Sequence, residues 1–253
     1  MASLSHAQII EAFHLGLLEV LRKGLGETRF VLKGGANLRY FFDSPRYSED
    51  MDLDAAGIEG WSLKEKVDEA LRSRPLAYLL SSTGSEVLVD EVTEPKQTDT
   101  TRRWKVPIKA SGHRDPIRTK IEFSDRNGDT RHALDTVPGK VVERYGLRPP
   151  LVQHYLAEPA TEQKVLALAG RPETQARDVF DLDLLLRKHP LTPGNVPAAT
   201  RKSAADRGLE LPYEAFADQV LPFLDPDVAV LYDEASWRHM QLFVTDKLLE
   251  EDG

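Results

Sequence analysis

Three carboxylates stand at alternate positions in Asp50-Met51-Asp52-Leu53-Asp54. On a β-strand, residues i and i+2 share one face, with Cα atoms about 6.5 Å apart. Asp50 and Asp52 therefore form a same-face pair, and Asp52 and Asp54 form an alternative one. Met51 and Leu53 would face a core. Mg2+ takes oxygen ligands, and it commonly binds one or two carboxylates together with substrate phosphates. Upstream, Lys33-Gly34-Gly35 lies between a strand and a helix. Glycine there lets the backbone come close to a ligand, and amides at a helix N-terminus favour phosphate. A third acid, Glu122, alternates with Ile121 and Phe123. If its strand lies beside that of Asp50 and Asp52, three carboxylates converge, as in a two-metal phosphoryl-transfer site with ions about 3.5–4 Å apart. Each feature taken alone also has a plain structural reading: a tight turn without ligand, a solvated strand end, an exposed strand residue.

The elements that must position these residues are legible from periodicity. Ser5 and Gln8 have capping-box spacing, and Ile9, Ile10, Phe13, Leu17, Leu18 and Leu21 follow at helical spacing up to Gly24 and Gly26. Arg29–Leu32 reads as a strand, a helix follows through Leu38, Tyr40 and Phe41, and Met51–Ala55 is a second strand. Trp61–Leu71 reads as a helix. Period-two alternation predicts strands in Val87–Val89, Trp104–Ile108 and Ile117–Phe123, with a turn at Asn127-Gly128. Beyond Pro149-Pro150 the pattern is mainly helical. Helices are predicted over Thr161–Ala169, Glu173–Lys188, Tyr213–Leu224 and Val228–Leu249, with a loop over 190–200. The order predicts an α+β fold: an α/β core over 1–136 and a helical domain over 137–253.

Composition bounds the chemistry. The 253 residues contain no cysteine, which excludes a disulfide framework and any thiolate-ligated metal. No run of 18 apolar residues suggests a membrane span, and Met1–His6 shows no basic stretch followed by an apolar run, so a cytoplasmic location is expected. The net charge of −8 argues against a wholly basic surface. Charge is nonetheless uneven: residues 100–148 carry 12 Lys+Arg and six acids, a local balance of +6 against −14 for the remainder. A basic band suits phosphate contact with an RNA, although strands also carry lysine to prevent edge pairing.

Taken together, Gly34-Gly35, Arg46-x-Ser48-x-Asp50-x-Asp52 and Lys120-Ile121-Glu122 resemble the DNA polymerase β-type nucleotidyltransferase superfamily. Within it, the chain resembles the AbiEii/AbiGii nucleotidyltransferase toxins of bacterial abortive-infection and toxin–antitoxin systems. Lys164 in Glu162–Leu168 and the run Arg177-Asp178-Val179-Phe180-Asp181-Leu182 fit the same family, in family order. The resemblance implies a polymerase β-like core with a mixed sheet, followed by a helical domain contributing to the active-site cleft. It implies that Asp50, Asp52 and Glu122 hold Mg2+ or Mn2+, and that Lys33, Gly34, Gly35, Asn37, Arg46 and Ser48 bind the nucleotide. Lys164 would contact the triphosphate, and Asp178 would be a further catalytic residue, orienting Lys164. One departure is that Ala36 and Asn37 follow Gly35 where many members have Ser or Thr. The implied reaction moves a nucleoside monophosphate from an NTP to an acceptor hydroxyl, with tRNA as the expected acceptor and an antitoxin protein as partner. A protein or small-molecule acceptor, or a silent binding module, are the alternatives.

Overall fold

The computed structural model describes residues 4–83, 87–98, 100–125, 130–189 and 195–250. They fall into two compact units. The first takes the chain up to Phe41 together with Tyr47–Tyr155, and the second takes Phe42–Arg46 and the chain from Leu156.

The first unit contains α1 (His6–Leu25), β1 (Phe30–Lys33), α2 (Gly34–Phe41), β2 (Asp50–Ala55), α3 (Gly60–Leu71), α4 (Arg74–Ser81), β3 (Val87–Val89), β4 (Thr93–Gln97), β5 (Thr101–Ala110), β6 (Ile117–Ser124), β7 (His132–Thr136), α5 (Gly139–Val142) and β8 (Leu151–Tyr155). Its sheet runs β3-β5-β6-β2-β1-β8-β7, with β4 also on β5. β2–β6 and β1–β8 are parallel and the other pairs antiparallel, so the sheet is mixed, as expected.

Alternation sorts the sheet into two faces. Phe30, Leu32, Met51, Leu53, Trp104, Val106, Ile121 and Phe123 are fully buried and share one core with α1, α3 and α4. Burying each such side chain is worth about 1.5–3 kcal/mol, which pins the register, because a one-residue slip would send the whole set to solvent. α1 begins where its capping box stands: Ser5 Oγ accepts from the Gln8 amide at 3.3 Å, and Gln8 Oε1 accepts from the Ser5 amide at 3.0 Å. Trp104 reaches α3 with its ring N–H, which donates to Asp68 at 2.8 Å. The buried Glu11 of α1 holds α2 through Arg39 at 2.7 Å and takes the Tyr145 hydroxyl at 2.6 Å.

The second unit contains α6 (Ala157–Gly170), α7 (Ala176–Lys188), α8 (Ala198–Leu209), α9 (Tyr213–Gln219), α10 (Pro226–Ala229) and α11 (Glu234–Leu249). Val165, Leu168, Val179, Leu182, Phe216, Trp237 and Val244 form its core, with Trp237 stacked on Phe216. Gln241, also buried, donates to the carbonyls of Gly208 and Leu211.

Several elements depart from the sequence reading. The sheet continues past residue 136, because Leu151–Tyr155 is a strand and not part of a helical region. The division therefore falls at Tyr155, later than the expected 136. β8 has five residues, and its strand character comes from partners distant in sequence. α4 is short, and α8 buries Ala204, Ala205 and Gly208, so neither shows a long stripe of large apolar residues. The helix expected over Val228–Leu249 is two, α10 and α11, with Asp233 capping the second by accepting from the Ser236 amide at 2.8 Å. The expected turn at Asn127-Gly128 lies outside the described residues.

Candidate active site

The carboxylates are brought together by strand register. β2 and β6 run parallel with Asp50 beside Lys120, Asp52 beside Glu122 and Asp54 beside Ser124. Lys33 is registered with Asp52 from β1, and Arg103 with Glu122 from β5. Registered residues on neighbouring strands share a face about 4.8 Å apart. One row across four strands thus reads Lys33, Asp52, Glu122, Arg103. This row lies on the face opposite the apolar core.

Each carboxylate has a distinct setting. Asp50 accepts from the Lys120 amide at 3.2 Å and pairs with its ammonium at 2.7 Å. Glu122 takes the Arg103 guanidinium, with Nε at 2.7 Å. Asp54, buried, pairs with Lys33 and accepts from the Tyr155 hydroxyl at 2.8 Å. Lys33 also donates to Ser124 at 3.2 Å. Asp52 lies against the glycine turn. Gly34 has φ +68°, and a Cβ built on it would stand 2.7 Å from Asp52 Oδ2. The turn and Asp52 therefore touch, and only glycine fits between them. Ser48 donates its hydroxyl to the Asp50 carbonyl at 2.8 Å, fixing the entry into β2.

The donor set suits a hard divalent cation in kind: half-buried carboxylate oxygens on one polar face. Among the described residues, no group of three or more His, Asp or Glu side chains is arranged to hold a metal ion as the side chains stand. Lys120 and Arg103 already neutralise two of the three acids, so an ion would have to take over from those cations.

Asn37, expected at the nucleotide, is fully buried. Its amide donates to the Tyr155 carbonyl at 3.0 Å, and its oxygen faces His154 at 3.0 Å. Arg46, Lys164, Asp178 and Asp181 meet within the second unit. Arg46 pairs with Asp181 at 2.9 Å, and Lys164 lies between Asp181 at 2.6 Å and Asp178 at 3.0 Å. Arg171 approaches Asp178 at 2.9 Å, although neither facing atom has an aligned hydrogen bond. Burial pushes the Lys164 pKa down, but the two aspartates outweigh it and the net shift is upward. Burial pushes Asp181 up, and Arg46 and Lys164 outweigh that, so its net shift is downward. Both groups are thereby held charged in the interior.

Lys164, Asp178 and Asp181 are buried, so they are not residues of a solvated helix surface. Sequence reasoning does not reach the pairing of Asp54 with Lys33 or its hydrogen bond from the Tyr155 hydroxyl, the second because β8 carries no clear strand signal. The basic band divides by alternation: Arg103 and Lys105 share the carboxylate face, whereas the Arg102 guanidinium packs over Gly60 of α3. Arg118 and Lys105 are exposed on the carboxylate face. A cavity of about 700 Å3 lies elsewhere, lined by Leu15, Val20, Ala70 and Leu79 of α1, α3 and α4, and no acid of β2 or β6 lines it.

A family model described as nucleotidyl transferase AbiEii toxin, type IV TA system, matches residues 16–249. A crystal structure of a candidate nucleotidyltransferase from H. pylori resembles the chain with a TM-score of 0.56 at 20% identity, covering 93% of this chain and 96% of that one. JHP933 from Helicobacter pylori resembles it with a TM-score of 0.55 at 19% identity, covering 97% and 95%. At such identities the likeness speaks for the fold. No curated protein sequence matches the chain.

Proposed function

We propose, for a chain that belongs to the AbiEii nucleotidyltransferase toxin family of type IV toxin–antitoxin systems, that it transfers a nucleoside monophosphate from an NTP to the 3′-terminal hydroxyl of tRNA and releases pyrophosphate. The observation that carries this reading is the side-by-side register of Asp52 and Glu122, with the Gly34 turn packed directly on Asp52. A phosphate bound at that turn would lie next to the acids that hold the metal.

In this reading Asp50, Asp52 and Glu122 hold Mg2+ or Mn2+, which would supply Lewis-acid stabilisation of the phosphoryl oxygens. Gly34 and Gly35 offer backbone amides to the triphosphate. Lys33 stands at the edge of the turn, where Asp54 holds it, and the Tyr155 hydroxyl in turn donates to Asp54. Lys164, fixed by Asp178 and Asp181 in the helical unit, is the proposed triphosphate contact there, and Arg46 secures that cluster through Asp181. Ser48 sets the start of β2. Asn37 acts on the turn from within the core. Little covalent chemistry is asked of the protein, as expected for a reaction driven by positioning and charge neutralisation.

The RNA acceptor is supported by the placement of Arg103, Lys105, Arg118 and Lys120 on the same sheet face as the acids. Lysine and arginine on such a face neutralise backbone phosphates. The type IV family brings with it an antitoxin partner, and the reading places both proteins in the cytoplasm.

The test is incubation with each labelled NTP, Mg2+ and total RNA, followed by separation of labelled RNA from labelled protein. Labelled tRNA is the expected result. Label on a polypeptide that resists ribonuclease, or label on a small molecule alone, would move the acceptor assignment. Absence of any product would favour a binding module.

A further inference from the structure

β8 holds α2, the helix that opens with the glycine turn, at Asn37 and Phe41, although no motif points to it. Asn37 lies in the first turn of α2, three residues after Gly34. Its amide nitrogen donates to the Tyr155 carbonyl, and this fixes the orientation of the amide. The amide oxygen then faces Nδ1 of His154 at 3.0 Å. On the opposite edge of the ring, His154 Nε2 lies 3.2 Å from Asp135 Oδ2 on β7. The ring also stacks on Phe41, one turn further along α2, with centroids 3.6 Å apart and planes 4° from parallel. His154 thus grips α2 at two points, while β1 lies alongside through the register of Leu32 with His154.

The hydrogen-bond inventory makes this grip depend on a proton. A carboxylate and an amide oxygen are both acceptors, and a neutral imidazole has one N–H. With one proton, one of the two contacts is a hydrogen bond and the other sets a lone pair against an acceptor. With two protons, both contacts are hydrogen bonds, and the Asp135 contact is an ion pair. Among the groups that face the ring are Asp135 from β7, Asn37 and Phe41 from α2, and the Tyr155 carbonyl at 3.1 Å. His132, the next histidine along the sheet, is engaged by Gln153 and lies edge-on to the Tyr155 ring.

We propose that His154 is a positioning residue for the Gly34–Gly35 turn, acting through Asn37, and that gain of its second proton seats the turn more firmly beside Asp52. The inference rests on the reading of that turn as the NTP phosphate site. Burial holds the His154 pKa below its ordinary value, and Asp135 works against that shift. Firm seating is therefore favoured in mildly acidic conditions, and neutral conditions leave the turn looser. Gly34 packs against Asp52 with no room for a Cβ between them, so a movement of α2 reaches the acid directly.

The experiment uses the full chain. NMR reads the His154 ring nitrogens and the Gly34 and Gly35 amide signals across pH 5–8, and calorimetry measures the Kd of each of the four NTPs with Mg2+ over the same range. The expected result is that both glycine amides titrate with the His154 midpoint, and that the Kd for the bound NTP weakens by about fivefold as the ring loses its proton, the worth of one net hydrogen bond. Asp135→Asn removes an opposing charge from a side chain that is 60% exposed, so folding is not at stake. It should lower both midpoints together by about one pH unit. His154→Asn keeps a donor toward Asn37 without titrating, so its Kd should lack the step. That variant also accounts for the protonation of the NTP itself. Glycine amides that ignore the His154 midpoint would overturn the inference. So would a wild-type Kd whose pH profile matches that of His154→Asn, and in that case the phosphate-site reading would survive. A wild-type protein that binds no NTP at any pH would overturn both.

Discussion

Replacing Gly34 with alanine tests the contact between the turn and the acids in a single atom. Two costs follow from the structure. At φ +68° an L-residue carries a penalty of about 1–2 kcal/mol. The new Cβ would also stand 2.7 Å from Asp52 Oδ2, closer than real Cβ contacts, so the carboxylate must rotate. Forcing it off its rotamer costs about 0.5–1.5 kcal/mol. Alanine restricts the unfolded chain and returns about 0.4–1 kcal/mol. The net loss is about 0.5–3 kcal/mol, or a Tm lower by roughly 2–4 °C for each kcal/mol in a chain of this size. Gly24→Ala is the control, since its Cβ meets nothing within 4 Å and it lies in the last turns of α1. There alanine should stabilise by up to about 1 kcal/mol. Thermal melts of both variants give the sign and the size, and a labelled-NTP transfer assay gives the functional cost. Displacement of one charge-stabilising group costs about 10²–10³ in rate, and Gly34→Ala should approach that loss while Gly24→Ala leaves turnover unchanged. A Gly34→Ala protein with wild-type Tm and turnover would refute the placement of the turn against Asp52.

Asp52→Ala should abolish transfer, by at least about 10²-fold, and leave the Tm near wild type, because Asp52 is on the polar face of the sheet; expression of the wild-type chain should arrest bacterial growth, and the same substitution should relieve the arrest. Asp181→Asn leaves Lys164 and Arg46 short of a buried counter-charge and should cost about 3–5 kcal/mol in chemical denaturation. The Asp181 pKa is depressed in the fold, so its contribution is present above the unfolded value of about 3.9 and is lost as pH falls through the folded value; Asp181→Asn should flatten that acid limb. The Lys164 shift has the opposite sense: its contribution is complete below the unfolded value and is lost as strongly alkaline pH passes through the raised folded value. Lys105→Ala with Arg118→Ala should flatten the slope of log RNA affinity against log salt by about 1.4–1.8, whereas Arg102→Ala should leave it unchanged; equal effects would remove the carboxylate face from RNA binding.

The parts of the fold that could be read in the sequence are those whose signal is local. Ser5 and Gln8 announced α1, and the alternation through Asp50–Asp54 and Ile117–Phe123 announced two strands whose polar positions share a face. That those strands are neighbours, and that Asp52 falls beside Glu122, depends on pairing across about 70 residues, which periodicity does not encode. β8 was illegible for the same reason: Leu151–Tyr155 becomes a strand by lying between β1 and β7. The burial of Lys164 is not legible either, because charged residues are seldom buried and its partners Asp178 and Asp181 come from the next helix. Arg102 and Arg103 looked alike in the sequence. One residue of alternation puts the first over Gly60 and the second on Glu122.

The claim of nucleotidyl transfer at the β2–β6 acids is tested most directly by the position of the label in the NTP. With Mg2+ and total tRNA, an NTP labelled at its α-phosphate should mark the RNA, and one labelled at its γ-phosphate should release all its label as pyrophosphate. Both signals should vanish in Asp52→Ala. Transfer of the γ-label to the acceptor would make the reaction a phosphoryl transfer, and α-labelling that persists in Asp52→Ala would place the chemistry elsewhere; either result contradicts the account.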